Sequence, residues 1–150
     1  MADKVKWGVV GSGGIARRRT IPEGIMVSDN SELVSVYDIS AKANAEVAKE
    51  FDAIACDSIE ALLKTDIDAV YVATPANVHL EQVLTSVAAG KHVLCEKPLA
   101  MNSAEVEQQI AACEKAGVLF GVGLMMRYNT QHQEALRMIQ DGTLGTLTYC

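Results

Sequence analysis

Short apolar, β-branched runs alternate along this chain with longer stretches whose apolar residues recur at helical spacing. Residues 5–10 (VKWGVV), 32–37 (ELVSVY), 69–73 (AVYVA), 91–95 (KHVLC) and 118–122 (VLFGV) predict the main strands, and residues 53–56 a shorter one. The third run is apolar throughout, the pattern of a strand covered on both faces. Between the strands the period changes. Residues 77–89 carry Leu80, Val83, Leu84 and Val87 on one helical face, spaced i, i+3, i+4, i+7. Residues 103–116 place Val106, Ile110 and Cys113 in the same way, with Ser103 as the expected N-cap and Gly117 closing the helix. Residues 41–50 and 58–63 predict a third helix and a short fourth. The helix that follows the first strand is expected to break near Pro22.

Strand–helix alternation at this rhythm makes the fold class α/β, a doubly wound, mostly parallel sheet with right-handed crossovers. With 150 residues the chain suits one domain around a single core, and 49% hydrophobic residues supply that core. A formal net charge of −6 argues against nucleic acid as a partner. The basic block Arg17-Arg18-Arg19 reads as a solvated helix face. Asp3, Lys4 and Lys6 stand where a signal peptide needs an apolar core, and no run approaches the roughly 18 apolar residues of a membrane helix, so a cytoplasmic location is expected. The four cysteines (Cys56, Cys95, Cys113, Cys150) lack metal-ligand spacing; they are expected to be buried, reduced thiols, with no metal bound.

The first strand runs directly into Gly11-Ser12-Gly13-Gly14-Ile15-Ala16, which fits G-x-G-x-x-A. Gly11 permits a tight turn, Gly13 removes a side chain where backbone must approach a pyrophosphate, and Ala16 lets the helix pack close to the strand. The helix opening there turns unpaired N–H groups and its positive dipole end toward phosphate. Asp38 ends the second strand, 22 positions after Ala16. A carboxylate there accepts hydrogen bonds from an adenosine ribose and repels a 2′-phosphate, which points to NAD over NADP. The alternative for Asp38 is a helix cap, since a helix begins at Ala41.

Two further turns, Ala73-Thr74-Pro75-Ala76-Asn77-Val78-His79 and the end of residues 89–100 (AGKHVLCEKPLA), fall at carboxyl ends of parallel strands, where open α/β sheets bind ligands. Lys97 beside apolar strand ends has a chemical use, because partial desolvation would help it exchange a proton with a substrate hydroxyl. Its alternative is an ordinary surface lysine. Together, GSGGIA, the A-T-P…H turn and AGKHVLCEKPLA resemble the glucose–fructose oxidoreductase / inositol dehydrogenase / MocA family, whose nucleotide-binding domain is a Rossmann fold. The likeness extends through residues 123–129 (GLMMRYN) and 141–147 (DGTLGTL).

The resemblance implies roles for individual residues. Gly11, Gly13, Gly14 and Ile15 line the pyrophosphate and Asp38 the adenosine ribose. Thr74 and Pro75 contact the cofactor, with His79 near them. Glu96 and Lys97 lie beside the nicotinamide ribose and the substrate, Lys97 acting in catalysis, and Arg127 lies near the nicotinamide end. It also implies a cis Lys97–Pro98 bond. Two departures are local: Ala76 stands where the family often has Asn, and Thr130 where proline is common. His92 and His132 match no role.

The implied activity is hydride transfer between nicotinamide and a secondary alcohol of a sugar or cyclic polyol. The alternative is a non-catalytic NAD-binding sensor or regulator of the same fold. Relatives of this type run to more than twice this length, adding a second α/β domain with an acid/base histidine that also builds a homo-oligomer. Residues 1–125 are therefore expected to be the nucleotide-binding domain. Residues 126–150 would be a connecting helix and, at 146–150 (TLTYC), the first strand of a truncated second domain, and the 150-residue chain alone is expected to be inactive as a dehydrogenase.

Overall fold

The computed structural model describes residues 4–148. Six strands form one all-parallel sheet: β1 (Val5–Val10), β2 (Ser31–Tyr37), β3 (Ile54–Ala55), β4 (Ala69–Val72), β5 (His92–Cys95) and β6 (Phe120–Val122), in the order β3-β2-β1-β4-β5-β6. The strand order reverses between β1 and β4. A crevice opens there at the carboxyl ends of the strands.

The central strands β1, β2, β4 and β5 turn their side chains into two cores, one on each face of the sheet. Val9, Tyr71, Leu33 and Val36 pack with Ala16, Ile21 and Val47, under the glycine-loop helix (Ser12–Ile25) and α1 (Ala41–Glu50). Val10, Val70, Val72, Val93 and Cys95 pack on the opposite face with Leu62, Val83, Val87 and Cys113, from α2 (Ile59–Leu63), α3 (His79–Ala88) and α4 (Ser103–Ala116). Leu33 and Val36 share a face although three apart. The register with β1 slips at this point, pairing Trp7 with Leu33 but Gly8 with Ser35, so Val34 is an inserted residue. Gly8 has its own constraint, since a Cβ there would lie 2.7 Å from Leu62 Cδ2 and 2.8 Å from Ile67 Cδ1.

Local signals explain most boundaries. Ser40 and Ser58 cap α1 and α2 through the N–H groups of Ala43 and Ala61. Gly117 closes α4 in the left-handed conformation, φ 68°. Ser103, expected to cap α4, is instead its first residue; Asn102 Oδ1 accepts the Glu105 N–H at 3.0 Å, and Glu105 returns a bond to the Met101 N–H. The helix expected over residues 77–89 begins as a 3₁₀ turn, Ala76–Val78, before α3. Pro22 does not break the first helix. That helix winds with wide i→i+5 turns, as in the Met26 N–H bond to Ile21 O, which leave room for the ring; its non-helical residue is Gly14.

After β6 the chain makes a 3₁₀ turn, Met125–Tyr128, and α5 (Thr130–Gln140), neither of which buries a residue. Thr130 is the first residue of α5, following the Asn129 cap; there a helix N–H is unpaired in any case, so threonine serves where proline is common. Residues 146–148 take no regular structure, and Tyr149 and Cys150 lie outside the described residues, as does part of the strand expected at 146–150. Cys56, Cys95 and Cys113 are buried and free, as expected. Arg17 pairs with Glu46 and Glu50, and Arg19 with Glu23, on the helix surface. Among the described residues no helix is long and apolar enough to cross a membrane.

Candidate functional site

The loop after β1 turns at Gly11, which has φ 81° and donates its N–H to Tyr37 O at 2.8 Å. Two constraints meet at this residue. Its conformation is left-handed, and a Cβ would lie 2.8 Å from both the Ala73 carbonyl carbon and the Thr74 nitrogen. Ala16, fully buried, brings the helix down onto the sheet. The open backbone surface belongs to Gly14, where a Cβ would meet nothing within 4 Å. Gly13 was expected to leave that space for a pyrophosphate. Instead its Cβ position is filled from the protein side, 2.8 Å from Ala43 Cβ and 3.0 Å from Asp38 Oδ2.

Asp38 fastens this loop. Its Oδ2 accepts the Gly13 N–H at 2.8 Å and its Oδ1 accepts the Ser40 N–H at 2.9 Å. The alternative role of helix cap is excluded, because Ser40 caps α1. Gly11, Gly14, Asp38, Thr74 and Pro75 border one cavity of about 430 Å³ at the sheet's reversal point. Thr74 is held by a bond from its Oγ1 to Gln82 Oε1 on α3.

A second cavity, about 500 Å³, shares Ala73 and Thr74 with the first and adds Ile15, Glu96 and Lys97. A third, about 400 Å³, is bordered by Lys97, Arg127, Met125 and Met126. Lys97 is exposed, whereas Cys95 at the end of the strand before it is buried. The Lys97–Pro98 bond is cis, as the resemblance implies. His79, 1% exposed, borders none of these cavities. One ring nitrogen faces Thr74 O at 2.7 Å, the other Pro98 O at 3.1 Å and Leu99 O at 3.3 Å. It therefore braces the Thr74 turn against the Lys97–Pro98 turn from beneath.

Glu96 is fixed at both oxygens. Oε1 accepts the Tyr71 hydroxyl at 2.7 Å, and Oε2 accepts the Lys97 N–H at 3.1 Å. Burial, reinforced by this carboxylate, pushes the Tyr71 phenol well above its ordinary value; the same two causes push the Cys95 thiol up to about 12. Tyr71, Met125 and Met126 were not singled out in the sequence. Tyr71 had a signal, a hydroxyl in an otherwise aliphatic strand that must find a partner when buried. The methionines had none, since an apolar run cannot be told from core before its place is known.

Residues 5–124 match the GFO_IDH_MocA family model, described as an oxidoreductase family with an NAD-binding Rossmann fold. The chain is 37% identical over 142 residues to a 1,5-anhydro-D-fructose reductase of Ensifer adhaerens, covering 93% of this chain and 42% of the reductase. It resembles the structure of a 3-ketoreductase from Actinomadura kijaniata in complex with NADP, with TM-score 0.88 and 30% identity over 95% of this chain and 46% of that one. It also resembles the WlbA dehydrogenase from Bordetella pertussis in complex with NADH and UDP-GlcNAcA, with TM-score 0.88 and 29% identity over 97% of this chain and 42% of that one. The chain thus spans less than half the length of each of these proteins. It belongs to the GFO_IDH_MocA oxidoreductase family, with the family's Rossmann fold.

Proposed function

We propose that this chain is the nucleotide-binding part of an NAD(P)-dependent oxidoreductase that acts on a secondary alcohol carbon of a sugar or cyclic polyol, with NAD the preferred cofactor. Residues 1–125 are the binding domain in this reading, and residues 126–150 lead into a second domain. The observation that carries it is the cavity bordered by the glycine loop, Asp38 and the Thr74 turn, which shares Ala73 and Thr74 with a second cavity bordered by Glu96 and Lys97. The sugar-directed relative and the NADP and NADH complexes support the same reaction class.

The residues present fit a dinucleotide. Gly14 leaves backbone open to the first cavity, where no side chain would compete with a pyrophosphate. Each Asp38 oxygen already accepts one N–H, and a carboxylate oxygen has a second lone pair for a ribose hydroxyl. When bound, the nicotinamide supplies the carbon that exchanges hydride with substrate. Lys97 presents an exposed ammonium at the cavity mouth, where it donates a hydrogen bond to the substrate hydroxyl and helps move its proton. Glu96 lines the same cavity with a fixed carboxylate. Arg127, at the edge of the third cavity, adds positive charge beside Lys97.

Calorimetric titration of the chain with both cofactors tests the preference. NAD should bind more tightly than NADP by about 1–3 kcal/mol, because the 2′-phosphate meets an unpaired like charge at Asp38. Equal affinities would remove the reason for naming NAD.

A further inference from the structure

Tyr71 lies in the middle of the sheet, 1% exposed, on the face packed by the glycine-loop helix. Its hydroxyl is doubly engaged, donating to Glu96 Oε1 at 2.7 Å and accepting from Thr20 Oγ1 at 3.0 Å. Thr20 belongs to the glycine-loop helix and Glu96 follows β5, so one buried phenol ties together two segments that border the second cavity. Glu96 is closed from the side as well, since a Cβ at Gly123 would come within 3.0 Å of Oε1. The packing alone does not need this hydroxyl. Phenylalanine has the same shape, and the oxygen serves to hold the carboxylate and to receive the Thr20 hydroxyl.

The two cavities share Ala73 and Thr74, and the glycine loop borders the first through Gly11 and Gly14 and the second through Ile15. With Asp38 at the first, the adenosine half belongs there and the nicotinamide half belongs beside Glu96. We infer that Tyr71 is a positioning residue, which holds the Glu96 carboxylate in place for the nicotinamide-ribose half of the dinucleotide. This rests on the cofactor reading above.

The test titrates the chain with NAD and with ADP, which lacks the nicotinamide-ribose half, and follows thermal unfolding alongside. Tyr71→Phe should weaken NAD binding about tenfold, on the order of one hydrogen bond to a charged group, and leave ADP affinity within about twofold. The melting temperature of the nucleotide-free chain should fall by only a few degrees, as for the loss of a buried hydrogen bond. Glu96→Gln should show the same split, and the double variant should be no weaker than Glu96→Gln alone, because Tyr71 acts through Glu96. Equal losses for NAD and ADP, additive losses in the double variant, or unchanged NAD binding in Tyr71→Phe would overturn the inference while leaving the cofactor reading intact. An unaltered chain that bound neither nucleotide would overturn both.

Discussion

Adjacent glycines in the loop carry different constraints, and the difference is measurable. Gly13 is small because Ala43 and Asp38 crowd it from within the protein, whereas Gly14 is small where the loop faces the cavity. Gly13→Val should therefore destabilise the fold, by about 1–3 kcal/mol of overpacking, whether or not nucleotide is present. Gly14→Val should abolish NAD binding, although its side chain would crowd no neighbour in the nucleotide-free chain. Denaturant titrations with and without NAD separate the two; a Gly14→Val variant that bound normally would move the phosphate away from this loop. The G-x-G-x-x-A spacing was legible in the sequence. Which glycine faces ligand was not, because it depends on how α1 and Asp38 pack behind the loop.

At the scale of elements, helix ends were mostly readable and strand registers were not. Gly117 closes α4 as its residue type implies, whereas the cap expected at Ser103 lies one residue earlier, at Asn102, and only geometry separates the two. Asn102 holds the Glu105 N–H and Ser103 does not. Asn102→Ala should then cost about 1 kcal/mol in urea unfolding, and Ser103→Ala much less. Equal costs would contradict this cap. Pro22 misled because the rule for proline assumes α-helical turns, and the wider winding here tolerates the ring. The inserted Val34 in β2 was equally hidden. Strict alternation would have put Leu33 and Val36 on opposite faces, and the slip against β1 brings both under the glycine-loop helix.

Over the whole molecule, the sheet is sealed on both faces, and this governs its thiols. Burial pushes Cys56, Cys95 and Cys113 above the ordinary thiol range, Cys95 to about 12. A raised value keeps the group protonated, and the thiolate is the nucleophile, so the three should resist alkylation at pH 8 and react together on unfolding. Mass-spectrometric mapping of the modified residues would show this; rapid labelling of any of the three in the folded chain would contradict the sealed core. The sequence by itself determined the α/β class, the parallel sheet and the family, because period, glycine spacing and short contiguous motifs are local properties of the chain. Tertiary structure alone decided that His79 is a brace beneath the turns, that Lys97 is exposed, and that Tyr71 reaches Glu96. Tyr71 and Glu96 lie 25 positions apart and His79 and Pro98 lie 19 apart, and the pairing of β4 with β5 is what brings such residues within hydrogen-bond distance.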